Sequence, residues 1–482
     1  MFWRGVVGYL PMNIVQAVVG LLSIAVFTRA LSPAEYGVYA LAFAGMNLAH
    51  TLVFTWMEAA MARFYAPEAQ AGLLPSHFAT LHRAWAIAAA GFTAIAAMAL
   101  IVWPGALPVK IAIASGLGAI LARSLAKLSQ ERRRAAGDVK GAALINIAQT
   151  AGGFVAGVGL IALGLGGAAP IAGLGVGAAV VLAFILPVEL RQGAGGAFER
   201  DKALSYIGFG VPVSLSLILA LALATTDRFI LAGSLGEASV GAYQAGYTLS
   251  NRTLDVLFIW LGAAGGPALI MALERGGAEG LARSAREQAG FMLALAMPAA
   301  LGVALVAKPL ADVMVGPALR VGAAQVTPWI AASALCLGLT NGYTHQAFTL
   351  GRRTGLLLVA MSVPAVANLG LCLWLIPRFG LLGAVWATTA SYAIGLVASA
   401  VIGRRAQPMP IPLGAIARTL VATAVMGASV AALPALGGLA ELVLKAGVGA
   451  AIYAAAAWIL DLAELRSRGR RALSALRART AT

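Results

Sequence analysis

The stretch Gln244 to Asp255 sets an arginine, an aspartate and several amides and hydroxyls inside a run otherwise apolar enough to cross a bilayer. Gln244, Thr248, Asn251, Arg252 and Asp255 recur every three or four residues, so on a helix they form one stripe. Leu249, Leu254, Val256, Leu257 and Phe258 cover the remaining surface. An Arg or Asp facing mid-membrane lipid costs roughly 2.5 to 3.5 kcal/mol on insertion scales, so the stripe is expected to face protein or a water-filled cavity. The chemistry it offers is recognition: a guanidinium that can meet phosphate oxygens, with amides and hydroxyls that replace water around a polar ligand. A simpler reading makes Arg252 and Asp255 a self-neutralising pair at i and i+3, but that leaves the neighbouring polar groups without a purpose.

Similar faces recur along the chain. Asn13, Gln16 and Ser23 line one, Asn47, His50, Thr51, Thr55 and Glu58 a second, and Asn146, Gln149 and Thr150 a third. Further on come Thr340, Asn341, Thr344, His345 and Gln346, then Asn368. All are expected to converge on one cavity between residues 1–200 and 201–402. Pro11 and Pro212 are candidate bending points in matching helices, a pointer to a transport site between repeated halves.

The elements that must carry these groups follow from composition. The 482 residues are 61% hydrophobic and 11% charged, far from a soluble globular chain. Successive apolar runs of about 20 residues between short polar breaks predict about fourteen transmembrane helices, not barrel strands. The run from Gly5 to Phe27 is read as the first span, too long for a signal-peptide core. Ser32-Pro33 suits the start of the second span, because serine caps and proline tolerates the first turn. The glycine-rich, charged segment 191–202 is the expected linker between two lobes, residues 1–200 and 201–402. Residues 403–482 add two spans and a basic tail.

A net charge of +16 raises the question of nucleic acid, but the basic residues flank the spans. With the N-terminus inside, the cytoplasmic segments hold roughly 26 Lys and Arg and the external loops about 7, which predicts both termini on the cytoplasmic side. The strongest clusters, residues 123–140 and the tail with Arg466, Arg468, Arg470, Arg471, Arg477 and Arg479, read as solvated or headgroup-facing. Cys336 and Cys372 lie in apolar runs and read as packing residues. The four histidines and two cysteines show no metal-ligand spacing, and no phosphate-cradling GxxxxGK[ST] segment occurs. No cofactor, no catalytic group and no nucleic-acid partner is expected.

A duplication is visible at a spacing of about 200 residues. Gly8-Tyr-Leu-Pro11 pairs with Gly208-Phe-Gly-Val-Pro212, Arg29 with Arg228, and Tyr36-Gly-Val-Tyr39 with Val240-Gly-Ala-Tyr243. Six spans separate the copies, so the halves share one orientation.

Phe27-Thr-Arg-Ala-Leu-Ser-Pro-Ala-Glu-Tyr-Gly-Val-Tyr-Ala-Leu41 resembles the first external loop of the Wzx-like polysaccharide flippases, within the multidrug/oligosaccharidyl-lipid/polysaccharide exporter superfamily. Thr226-Asp227-Arg228 with Val240-Gly-Ala-Tyr243 resembles the seventh-to-eighth span region of that family. Phe379-Gly-Leu-Leu-Gly-Ala-Val-Trp-Ala resembles its twelfth span. The resemblance implies an all-α fold with two six-helix lobes around a cavity lined chiefly by spans 1, 2, 7 and 8. It also implies that cationic residues there meet the phosphates of an undecaprenyl-linked sugar, a role that falls by position to Arg252, with Arg29 and Arg228 toward the external end.

The expected function is therefore a flippase for polyprenyl-(pyro)phosphate-linked oligosaccharide in a bacterial cytoplasmic membrane, working by alternating access in surface polysaccharide synthesis. Its expected partners are that lipid-linked substrate, membrane lipids, and polymerase and assembly proteins of the pathway. A cation-coupled drug exporter of the same superfamily is the alternative within transport, and a membrane-embedded polysaccharide-assembly enzyme or scaffold the alternative outside it.

Overall fold

In a computed structural model, the chain is described over residues 2–464 and 466, and every regular element among them is helical. The first half runs through α1 (Phe2–Ala30), α2 (Pro33–Val53), α3 (Thr55–Gln70), α4 (Leu74–Val102), α5 (Leu107–Ala135), α6 (Val139–Ala162), α7 (Ala169–Gln192) and α8 (Arg200–Leu235). The second comprises α9 (Glu237–Leu305), α10 (Ala307–Met314), α11 (Arg320–Leu339), α12 (Gln346–Leu350), α13 (Thr354–Gly403), α14 (Leu413–Ala431) and α15 (Gly438–Ile459). Most of the basic tail, including Arg468, Arg470, Arg471, Arg477 and Arg479, lies outside the described residues.

Among the described residues, eleven helices are long and apolar enough to cross a membrane, or up to twelve when the bent pair α2 and α3 counts as one. The expected number of about fourteen differs because α9 and α13, at 69 and 50 residues, each exceed the roughly 20 residues that one crossing needs. Each is divided by a glycine in a non-helical conformation, Gly277 (φ 55°, ψ −149°) in α9 and Gly380 (φ 58°, ψ −130°) in α13.

By contacts the chain forms two compact units, Met1–Gln244 and Ala245–Thr482, so the division falls inside α9. In the first unit Phe54, Met57, Met61, Leu81, Ile120, Leu128, Ile171 and Tyr206 are buried in one core. Helices α6 and α7 approach closely through reciprocal glycines. A Cβ on Gly173 would lie 2.4 Å from the Gly157 nitrogen, and one on Gly177 2.5 Å from that of Gly153. Small residues at four-residue spacing are what membrane helices use to come this near. In the second unit, Leu261, Leu269, Leu281, Met292 and Tyr343 form one core cluster, and Ala294, Ala422, Ala457 and Leu462 another that ties α14 and α15 to α9.

The start of α2 follows the sequence reading. Ser32 and Glu35 form a reciprocal capping box, with Glu35 N–H donating to Ser32 Oγ at 3.3 Å and Ser32 N–H to Glu35 Oε2 at 2.8 Å. Pro11 and Pro212 lie inside the helical ranges of α1 and α8. A 47° bend falls at Phe54, between α2 and α3, where no proline or glycine stands.

Candidate functional site

The bend at Phe54 (φ −117°, ψ −26°) leaves His50 on one limb and Glu58 on the other, and the two side chains close across it. His50 Nε2 lies 2.8 Å from Glu58 Oε1, and Lys127 Nζ on α5 lies 2.9 Å from Glu58 Oε2. Glu58 is only 6% exposed, so it needs compensation, and each of its oxygens has a basic partner. Lys127 is 45% exposed along its side chain and reaches outward from the cluster. One turn earlier on α5, Arg123 holds a buried Nη1 that has no hydrogen-bond partner. Sequence reading placed His50 and Glu58 on one face of span 2 but assigned Arg123 and Lys127 to a solvated basic stretch. Their spacing of four, which puts both on one face of α5 beyond its apolar first half, was the signal that could have drawn them in.

A second cluster forms across the α8–α9 hairpin, whose turn is Gly236 with φ +79°. Arg228 donates from Nε to Gln244 Oε1 at 2.7 Å and lies 5.5 Å from the centre of the Tyr243 ring. Asp227 contacts Arg228 Nη1 at 3.2 Å and accepts from the Tyr243 hydroxyl. At 4% exposure Arg228 is not a headgroup anchor, and Asp227 beside it is fully buried. The residues that carry the repeat and the family resemblance here, Asp227-Arg228 and Tyr243, are therefore partners in one buried charge network.

The remaining residues of the predicted faces are placed as follows. Gln16 donates to Asn146 Oδ1 at 2.7 Å, joining α1 to α6, while Asn13 is exposed. Gln149, on the same helix as Asn146, has a buried Nε2 without a partner. Asn47 bonds to the Phe43 carbonyl of its own helix at 2.9 Å. Arg29 is exposed and reaches the Ala25 carbonyl at 2.7 Å. Asn251 is half-buried, and Arg252 and Asp255 are both exposed. Among the described residues no salt bridge is formed between Arg252 and Asp255, although the two charges are near enough to interact electrostatically. Asn341 is exposed within the π-helical turn Thr340–Thr344, and His345 Nε2, just beyond it, lies 3.2 Å from Ser399 Oγ. A π turn widens the helix and often marks a functional position. Among the described residues no group of His, Cys, Asp and Glu has the arrangement of a metal site.

The C-terminal end of α5 also departs from a purely solvated reading. Arg132 makes a two-pronged contact with Glu189 on α7, Nε–Oε2 2.6 Å and Nη2–Oε1 2.8 Å, with Glu189 1% exposed. Arg133 reaches both Glu189 and Asp138, at 3.4 and 3.2 Å. The Asp138 carboxyl is held below its usual range by the backbone N–H of Gly141 and then by the Arg133 guanidinium, while partial desolvation acts the other way.

These helices and buried charges sit on a sequence that matches the model of the polysaccharide biosynthesis protein family over residues 26–319, more than half of the chain. The chain belongs to that family. Its fold is similar to that of the lipid II flippase MurJ in an inward closed conformation, at 12% identity and a TM-score of 0.73, covering 93% of this chain and 98% of MurJ. It is also similar to a multidrug resistance MATE transporter of the MOP superfamily in an inward-facing conformation, at 15% identity and a TM-score of 0.65, over 82% of this chain and 94% of that one. A MOP superfamily transporter from Pyrococcus furiosus Vc1, described by the reverse polarity of its binding pocket, matches at 14% identity and a TM-score of 0.57, over 83% of this chain and 95% of that one. At such identities the likeness is one of fold. No curated protein matches by sequence. The family member described here is an all-α multi-pass membrane protein with the fold of MurJ and the MATE transporters.

Proposed function

We propose that the chain is a flippase for polyprenyl-(pyro)phosphate-linked oligosaccharide, moving the sugar headgroup by alternating access while the polyprenyl tail remains in lipid. The observation that carries the reading is the coincidence of a polysaccharide-biosynthesis sequence with a transporter fold. The physical task fits that combination, since a sugar phosphate leaving water for hydrocarbon loses several kcal/mol for each unsatisfied polar group. Polar side chains set within apolar helices, such as Gln16, Asn13, Gln149 and Asn341, offer replacement hydrogen bonds, and exposed Arg252 offers a guanidinium. The proposed setting is a bacterial cytoplasmic membrane with both termini inside, next to polymerase and assembly proteins of a surface-polysaccharide pathway.

Drug-cation export fits less well, because the buried carboxylates Glu58 and Asp227 already have basic partners in Lys127 and Arg228. The deciding experiment uses the purified protein in liposomes that carry a fluorescent polyprenyl-pyrophosphate oligosaccharide in both leaflets, with a membrane-impermeant quencher or glycosidase outside. A flippase raises the accessible fraction from about half toward completeness without altering the molecule. An accessible fraction equal to that of protein-free liposomes rules the reading out, and a changed lipid product points to an enzyme.

A further inference from the structure

Among the described residues of α5, Arg123 Nη1 is sealed from solvent and has no acceptor. A buried guanidinium N–H left unpaired is costly, so its persistence calls for an acceptor present in some state of the working protein. The surroundings say what kind. Arg123 and Lys127 bring two positive charges to one face of α5, against Glu58, whose oxygens are held by His50 at 2.8 Å and Lys127 at 2.9 Å; the neighbouring carboxylate of Glu131 is matched by Arg134 at 2.7 Å. The cluster therefore carries an excess positive charge before His50 is counted, and it includes an open donor. Lys127 is also the member that an incoming group can reach, being half-exposed where Glu58 is buried.

We propose that Arg123 and Lys127 form a binding site for a phosphate-class anion, and that the anion takes Lys127 away from Glu58. A phosphate has several acceptor oxygens and suits both a forked guanidinium and a point-charge ammonium. Glu58 belongs to α3 and Lys127 to α5, so their 2.9 Å contact fixes the lower limb of the bent span against its neighbour. Exchange of Lys127 from Glu58 to the anion releases that limb and leaves Glu58 held by His50 across the bend at Phe54. Ligand arrival is thus linked to movement at the one place where this span is already broken. That the anion belongs to a lipid-linked sugar rests on the flippase reading; the site and its competition with Glu58 rest on geometry alone.

The test uses the full chain in nanodiscs, with Cys336 and Cys372 replaced by alanine and spin labels at Ala66→Cys on α3 and Ala114→Cys on α5, both exposed positions. One arm adds inorganic pyrophosphate, and the other adds polyprenyl phosphate to the bilayer without free anion; calorimetry gives the affinity for each. Wild type should bind and show a second, ligand-dependent Ala66–Ala114 distance. Arg123→Gln and Lys127→Gln should each weaken binding by about tenfold or more and suppress that distance. Glu58→Gln should do the reverse, binding more tightly and showing the second distance before ligand is added, because the competitor has lost its charge. Arg123→Lys should retain part of the affinity, which covers the case in which Arg123→Gln does not fold, and Lys140→Gln at the exposed end should bind as wild type. A response in the lipid arm, with or without the free anion, supports a lipid phosphate as ligand. A response to free pyrophosphate alone supports the anion site and overturns its assignment to a lipid phosphate. The proposal is overturned by no binding in either arm, by unchanged affinity in both cation variants, or by weaker binding in Glu58→Gln. Flipping measured separately keeps the two readings apart: binding at this site without flipping sinks the flippase, and flipping without binding here sinks the site.

Discussion

Gly37 on α2 and Gly241 on α9 face one another where the starts of these two helices cross. A Cβ built on Gly37 would lie 1.8 Å from the Glu237 carbonyl oxygen and 2.6 Å from its carbon, and one on Gly241 would lie 2.2 Å from the Pro33 oxygen. Ordinary van der Waals contact begins near 3.4 Å, so Gly37→Ala requires the backbones to separate by about 1.6 Å and Gly241→Ala by about 1.2 Å. Neither neighbour is a side chain that can swing aside. We therefore expect each substitution to cost at least the ~1–3 kcal/mol of an overpacked interior. In a folding unit of this size that corresponds to a fall in Tm of roughly 2–12 °C. Because one separation relieves both clashes, the double substitution should cost clearly less than the sum of the two singles. Gly45→Ala on the same helix is the control. Its Cβ meets nothing within 4 Å, and removing a mid-helix glycine should be neutral or stabilising by up to ~1 kcal/mol. The assay is thermal unfolding of the purified protein followed by intrinsic fluorescence, with size-exclusion chromatography to establish folding at 20 °C. Equal Tm values for Gly37→Ala and Gly45→Ala would refute the close crossing, as would strict additivity of the pair.

Removing Arg132 leaves Glu189 buried with only the longer 3.4 Å contact to Arg133, so Arg132→Met should cost about 3 kcal/mol, while Arg132→Met with Glu189→Leu should recover most of it in the same melting assay. Asp138 caps α6 through Gly141 N–H, so Asp138→Ala should cost ~1 kcal/mol and Asp138→Asn much less. The carboxyl is depressed in the folded state, so the cap's contribution is complete above its unfolded value of 3.8 and is lost as pH falls through the lower folded value; the melting difference between wild type and Asp138→Ala should stay level from pH 7 to 5 and shrink below pH 4. Arg252→Ala should abolish flipping in a folded protein if the guanidinium meets substrate, and Arg252→Met with Asp255→Leu should then also be inactive. Normal flipping by that double variant at normal expression removes Arg252 from the substrate site.

Much of the fold was legible because a bilayer allows few solutions. Apolar runs of span length and Ser32-Pro33 as a helix start each answer to a local rule, and each is found. The bend was not legible for the opposite reason. Local rules point to proline or glycine at a kink, yet the 47° break between α2 and α3 falls at Phe54, where neither stands. What stands on either side of Phe54 is a titratable pair joined at 2.8 Å, a tertiary arrangement fixed further by Lys127 from another helix. The helix count differs because Gly277 and Gly380 turn the chain between stretches that stay helical on both sides, so two long helices each hold more than one crossing length.

For the candidate site, sequence identifies which polar groups lie within apolar helices, but only geometry shows which of them have capacity left for a ligand. By sequence Arg228 falls toward the external end and Glu58 on the second polar face, with nothing to show what either meets. In the structure Arg228 is committed to Asp227, Gln244 and the Tyr243 ring, and Glu58 to His50 and Lys127. A committed buried charge is expensive to redirect, because breaking one partner exposes the other to desolvation without compensation. Capacity belongs instead to groups that are reachable or unpaired: Lys127 with its half-exposed side chain, Arg123 with its orphaned Nη1, and Arg252 and Asp255 at exposed positions. Lys127 alone among these is both reachable and bound to a buried carboxylate, so a ligand that engages it must change the environment of Glu58. That is the physical requirement for converting binding into movement, a differential interaction with two arrangements of the same helices.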